Sequence, residues 1–111
     1  MITEIRKLIF PKNVLQTALL HECKSAGINI PNSQIQDIKI TGENPVRVVL
    51  QFVTAHVKRP MEVPLSEHFV LTAMVVTCRK YNVPLARYST KSIEIHDQGL
   101  AMVMTLDIQT R

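Results

Sequence analysis

Glycine is scarce in this chain, with only three among 111 residues. Neither a G-x-x-x-x-G-K-[ST] loop nor a G-x-G-x-x-G turn can be assembled from them, so phosphate cradles built on backbone amides are excluded. Cysteine is just as rare. Cys23 and Cys78 lie far apart, and no C-x₂₋₄-C or H-x₃₋₅-H pair accompanies them, which removes the usual zinc frameworks and a disulfide scaffold. His21-Glu22-Cys23 is a local cluster without a second half. No apolar run approaches the ~18 residues of a membrane span. The N-terminal MITEIRKLIF has basic residues but lacks the apolar core and small-residue cleavage site of a secretory leader. The expectation is a cytoplasmic protein without a membrane partner, a metal or a cofactor.

Charge of one sign is also not concentrated in either half of the chain. The chain carries 13 Lys and Arg against 9 Asp and Glu, a formal +4. Divided after His56, the counts are 6 against 4 and then 7 against 5, so the basic excess is shared and no charged tail exists. A mild excess of this kind permits nucleic acid, phosphate or acidic-protein partners without requiring them.

What is present is an ordinary globular composition, 46% hydrophobic and 20% charged, in one domain spanning 1–111. Its most regular stretch is Ser66 to Ile95. Ser66 suits an N-cap, Glu67 complements the positive helix end, and Val70, Ala73, Met74, Cys78 and Tyr81 recur at helical spacing. Ser92 to His96 then alternates as a strand, Asp97-Gln98-Gly99 turns, and Leu100 to Ile108 forms a final strand. Earlier in the chain, residues 4–10 read as a short strand. Pro11 suits a helix start, with Asn13 and Gln16 as an alternative capping box two residues later. Leu15, Ala18, Leu19, Cys23 and Ala26 make the stripe, and Gly27 ends the helix. Ile35–Thr41 and Val46–Val53 read as a hairpin, with Val46, Val48, Leu50 and Phe52 on one face. Residues 55–60 form the internal boundary, and Met61–Leu65, interrupted by Pro64, is an edge strand at most.

This order repeats. Placing each residue on the one 55 positions later matches Thr17 to Thr72, Ala18 to Ala73, Cys23 to Cys78, Ile38 to Ile93, Ile40 to Ile95 and Val48 to Val103. Leu8/Val63, Phe10/Leu65, Leu15/Val70, Leu19/Met74 and Ile28/Val83 are apolar in both halves. The register fails in the last strand, where a one-residue slip or bulge would restore the apolar row. The expected fold is α+β: an antiparallel sheet with two helices on one face, built from βαββ repeats at 4–54 and 59–109. A ferredoxin-like βαββαβ core with one added C-terminal strand is the alternative. In topology alone, paired βαββ units resemble some bacterial effector-binding domains, which enclose a small-molecule groove between repeats.

Function is less legible. Ser92, Glu94 and His96 share a strand face, which suits an acid–base pair and equally the wet face of a half-buried strand. Nothing places a histidine beside a thiol. The richest patch is the connector 79–91, RKYNVPLARYSTK, with Arg79, Lys80, Arg87 and Lys91, no acidic residue, and Tyr81 and Tyr88 interleaved. Cations beside an aromatic ring suit a phosphate backbone and a stacked base, so Arg79, Lys80, Arg87, Tyr88 and Lys91 are the candidate binding residues. Val49, Val53 and Val103 leave apolar groups on the outer sheet face, and five methionines add adaptable surface. Three functions follow as expectations. The first is a non-enzymatic interaction or regulatory domain acting as a homodimer or on another protein. The others are nucleic-acid or phosphate binding through 79–91, and a small-molecule effector site between helices and sheet.

Overall fold

The computed structural model describes residues 2–28, 30, 35–42, 45–52 and 61–108, with backbone only at 35 and 36. The elements run β1 (Ile2–Phe10), α1 (Lys12–Ser25), β2 (Ile35–Thr41), β3 (Arg47–Phe52), β4 (Met61–Leu65), α2 (Glu67–Lys80), β5 (Thr90–His96) and β6 (Gly99–Ile108). The fold is α+β, with two helices and two antiparallel three-stranded sheets. Six strands are present, one more than the ferredoxin-like alternative provides. The expected boundary at 55–60, the outward Val53 and the break at 31–33 lie outside the described residues.

The strands divide between two sheets, β1-β6-β5 and β2-β3-β4, where the sequence suggests one. The reason lies in the pairing. Each internal hairpin, β2–β3 or β5–β6, receives on its free side the leading strand of the other half. β1 runs antiparallel to β6 from Ile2–Ile108 to Phe10–Leu100, and β4 pairs with β3 from Met61–Phe52 to Leu65–Val48. The β1-β6-β5 sheet thus joins strands from both ends of the described chain.

The 55-residue correspondence holds at the helices to the residue. α1 and α2 start and stop at matching positions, as do β2 and β5. Both helices end in the same Schellman geometry. Gly27 N–H reaches Lys24 O and Ile28 N–H reaches Cys23 O; Asn82 N–H reaches Arg79 O and Val83 N–H reaches Cys78 O. The left-handed residue is Gly27 (φ 72°) in one case and Asn82 (φ 55°) in the other. Asparagine tolerates that region better than most residues, which explains how a second stop works without glycine. The buried stripes also coincide, Leu15, Ala18, Leu19 and Cys23 against Val70, Ala73, Met74 and Cys78.

The starts differ. Ser66 Oγ accepts from Phe69 N–H at 3.2 Å, the expected N-cap. α1 begins at Lys12 after Pro11 with no side-chain cap, so the Asn13–Gln16 capping box does not form. Glu67 does more than complement the helix end: its Oε2 accepts the Val46 N–H at 2.7 Å and ties α2 to the entry of β3. Tyr81 departs from the expected stripe. The helix stops at Lys80, the left-handed turn at Asn82 follows, and the ring is left 65% exposed.

In the last strands the register shift is three residues, not one. Ile38 pairs with Leu50 and Ile93 with Met102, so the offset falls from 55 to 52. The cause is the hairpin loop, residues 42–46 in the first half and only Asp97-Gln98 in the second. An odd difference inverts the faces, which puts Leu100, Met102 and Met104 in the core and leaves Val103 half-buried on the other side. Leu15, Leu19, Val48, Leu50, Phe52, Val70, Met74, Leu100 and Met102 join both helices and both sheets in one apolar cluster. Each such fully buried side chain contributes about 1.5–3 kcal/mol.

Candidate anion-binding site

The basic connector folds into a defined structure. α2 ends at Lys80, the Schellman turn sends Val83 back toward the core, and Leu85 packs against the cluster as well. Arg6 of β1 donates from Nη1 to Pro84 O at 3.0 Å, fastening the connector to the neighbouring sheet. Ala86 O then gathers three donors: Ser89 N–H at 3.2 Å, Ser89 Oγ at 2.7 Å and Lys91 Nζ at 3.3 Å. Lys91 also reaches Ser89 O and Ser89 Oγ. The loop is therefore held at its entry, middle and exit.

Between this loop and α2 opens a pocket of about 470 Å³, lined by Val75, Arg79, Val83, Leu85, Ala86, Arg87 and Lys91. Its floor is apolar and its charged lining is wholly cationic. Among the described residues, none of Arg6, Arg79, Arg87 and Lys91 is in a salt bridge. The three lining cations have different tasks. The ammonium of Lys91 spends its donors on neutral oxygens of the loop, so it contributes field and loop shape. Arg79 and Arg87 have no salt-bridge partner among the described residues, and a guanidinium fork matches phosphate or carboxylate oxygens two at a time. The carbonyl end of α2 opposes an anion with roughly half an elementary charge, and three cations outweigh it.

Of the five candidate residues, Arg79, Arg87 and Lys91 converge on this pocket, and Lys80 and Tyr88 do not line it. Lys80 turns instead into a hollow of about 170 Å³ between the helices, beside Asn13, Thr17, His21 and Tyr81. Tyr88 is 84% exposed, with the Arg87 guanidinium 5.7 Å from its ring centre. Lys80 stands at the same distance from the Tyr81 ring. Arg6 is the contributor that sequence reasoning missed. Arg6 precedes Pro84 by 78 positions, and no local pattern announces that contact.

No family model, curated protein or solved structure matches the chain. The chemistry of the site accordingly rests on its own residues.

Other constellations are less productive. Glu94 Oε1 accepts Lys7 Nζ at 2.6 Å across β6, and His96 Nδ1 stands 3.6 Å from Asp97. Glu94 and His96 are thus drawn to different partners. Cys23 and Cys78 are both buried, and burial pushes both thiols up from their ordinary pKa; Glu22 adds to the effect at Cys23 and Arg6 opposes it at Cys78. A raised thiol pKa is the reverse of what a nucleophile needs. A hollow of about 310 Å³ lies between β1 and the helices, lined by Leu8, Phe10, Val14, Thr77, Cys78 and Val83 among others. Among the described residues no three of His, Cys, Asp and Glu converge as metal donors, and no helix is long and apolar enough to cross a membrane.

Proposed function

We propose that this protein is a small non-enzymatic interaction domain, cytoplasmic and homodimeric, that takes a phosphate-bearing ligand in the Arg79–Arg87–Lys91 pocket. One observation carries the ligand reading: three cations from a helix end, a loop and a strand surround a single apolar-floored hollow whose lining, among the described residues, contains no carboxylate. Single-stranded nucleic acid is the ligand class that suits it. The forks of Arg79 and Arg87 grip phosphate, and the exposed Tyr88 ring offers a stacking surface that tolerates any base.

The test is fluorescence anisotropy with labelled oligonucleotides of about ten nucleotides at about 50 mM salt, where phosphate contacts are strong. Affinity falls with salt, and two phosphate contacts on a single strand give a log–log slope of about −1.4. Arg87→Glu abolishes binding and Arg79→Glu weakens it severely. Binding of inorganic phosphate or a mononucleotide with no gain for the oligonucleotide transfers the site to a small anionic effector. No binding of any of the three ends the ligand reading.

The homodimer has its own support. Apolar side chains stand exposed on both faces of β1, Ile2 on one and Ile5 and Ile9 on the other. Light scattering after size exclusion at tens of micromolar, on the order of assay concentrations at which micromolar affinities register, reads this directly. A strict monomer removes it and leaves the ligand reading untouched.

A further inference from the structure

Among the described residues both sheets have open edges, and the four edge strands are not alike. β4 has only five residues and includes Pro64, which has no amide to donate. β2 carries a register irregularity between Ile35 and Asp37. β5 begins beside the loop that Lys91 holds at Ala86 and Ser89. Bulges, prolines, short length and lysines are the usual devices that blunt an edge. β1 has nine residues with no proline, no glycine and no bulge in its register with β6, and its one lysine, Lys7, reaches across β6 to Glu94. Among the described residues it has one strand neighbour. Its outer half, Ile2 to Glu4, extends beyond the reach of β5, which stops at the Thr90–Thr105 pair. Ile2 is 57% exposed there and Ile5 is 62% exposed.

The sequence of β1, ITEIRKLIF, is complementary to its own reverse in one register. When two copies of a strand pair antiparallel about a two-fold axis perpendicular to the sheet, opposed residues point to the same side, so their numbers sum to an even value. An axis at Glu4, Arg6 or Lys7 opposes that charge with itself. An axis at Thr3 or Leu8 shortens the ladder. An axis at Ile5 opposes Ile5 with Ile5, Glu4 with Arg6, Thr3 with Lys7 and Ile2 with Leu8 of the second copy. Two opposite-charge pairs form symmetrically, Ile5 covers Ile5 and Ile2 covers Leu8, and residues 2–8 all take part.

We infer that two copies of this chain join edge to edge through β1 about an axis at Ile5, making one continuous sheet in the order β5-β6-β1-β1-β6-β5. The inference rests on the homodimer part of the proposed function and adds the surface, the register and the charge code. An interface of this kind is isologous, so it closes at two copies. The ladder includes Arg6, whose Nη1 also holds Pro84 O, but none of the residues that line the pocket of Arg79, Arg87 and Lys91.

The test combines cross-linking with charge exchange in the full chain. Under mild oxidation Ile5→Cys forms a covalent dimer, because directly opposed α-carbons across an antiparallel pair stand about 4.5–5.5 Å apart, within the span a disulfide bridges. Ile9→Cys, on the same face but not facing itself, does not. The native Cys23 and Cys78 are buried and silent. Glu4→Arg sets like charges opposite each other twice and raises the dimer dissociation constant on the order of ten-fold or more. The exchange Glu4→Arg with Arg6→Glu restores it, and circular dichroism confirms that each variant is folded. A monomeric wild type overturns both the dimer and the edge. A dimer that is indifferent to Glu4→Arg, and in which Ile5→Cys does not cross-link, overturns the edge alone and moves the interface elsewhere.

Discussion

Replacing Gly99 with alanine tests how β6 enters its sheet. Gly99 opens β6 opposite the point where the chain leaves β1 for α1, and a Cβ built there lies 2.2 Å from Phe10 O and 3.2 Å from Lys12 N. Both neighbours are backbone, so relief requires moving the strand–helix junction itself. Forced overpacking of this kind costs about 2–3 kcal/mol. The informative comparison is Gly27→Ala. There the backbone is left-handed at φ 72°, yet the added Cβ meets nothing within 4 Å. The cost is conformational, about 1–2 kcal/mol, offset by about 0.4–1 kcal/mol from a stiffer unfolded chain. Backbone conformation alone ranks Gly27 as the more sensitive site; tertiary contact reverses the order. In urea, with an m-value of about 1.5 kcal/mol per M, the Gly99 variant loses about 1.3–2 M in midpoint and the Gly27 variant about 0.5 M. Equal m-values are needed for the comparison to hold. A Gly99→Ala midpoint at or above that of Gly27→Ala refutes the close approach of β6 to the β1–α1 junction, and with it the Phe10–Leu100 end of the register.

Two further predictions concern the core and the acid limb. Both thiols resist a thiol reagent in native buffer; Cys78, which lines the hollow beside β1, reacts before Cys23, and mass spectrometry of the partially labelled protein identifies which. Rapid labelling of both contradicts the matched stripes, and either Cys→Ser change costs about 1–3 kcal/mol where the hydroxyl finds no partner. The Lys12 ammonium, followed by the Ile38 amide, holds the Asp37 carboxyl below its ordinary range. A lowered folded-state pKa means that this contribution is present above the unfolded value and is lost as pH falls through the folded one. Urea midpoints measured from pH 7 downward therefore fall on the acid side for the wild type, with a shallower fall for Lys12→Ala; identical acid limbs remove the pair from the account.

Local chemistry was sufficient for the helices. A 3.6-residue stripe is written in neighbouring positions, so Leu15-Ala18-Leu19-Cys23 and Val70-Ala73-Met74-Cys78 were readable, as were the Ser66 cap, the Gly27 stop and the Ile35–Thr41 strand. The alternation of Val46, Val48, Leu50 and Phe52 likewise announced a buried face. What alternation does not encode is which strand lies alongside. The pairing of β1 with β6 joins Ile2 to Ile108, and its selection depends on three-dimensional packing of the two hairpins, not on any pattern within either strand. The inverted face of β6 follows from a loop three residues shorter, a count whose effect appears only once both hairpins are paired. Gly99 read as a turn residue because its neighbour across the sheet belongs to another element.

The same division runs through the candidate site. The connector 79–91 was conspicuous in sequence because four cations occur there without an acid, and composition is a local property. Which of them meet was decided by the loop path: Ala86 O collecting three donors, Arg6 holding Pro84, and the left-handed Asn82 ending the helix so that Arg79 faces the loop while Lys80 faces α1. Residue type and spacing therefore determined the elements and their buried faces, since those depend on contacts a few positions away. Partners, registers and the convergence of Arg79, Arg87 and Lys91 were decided by tertiary structure, because chain entropy, loop length and close packing act between residues the sequence holds far apart.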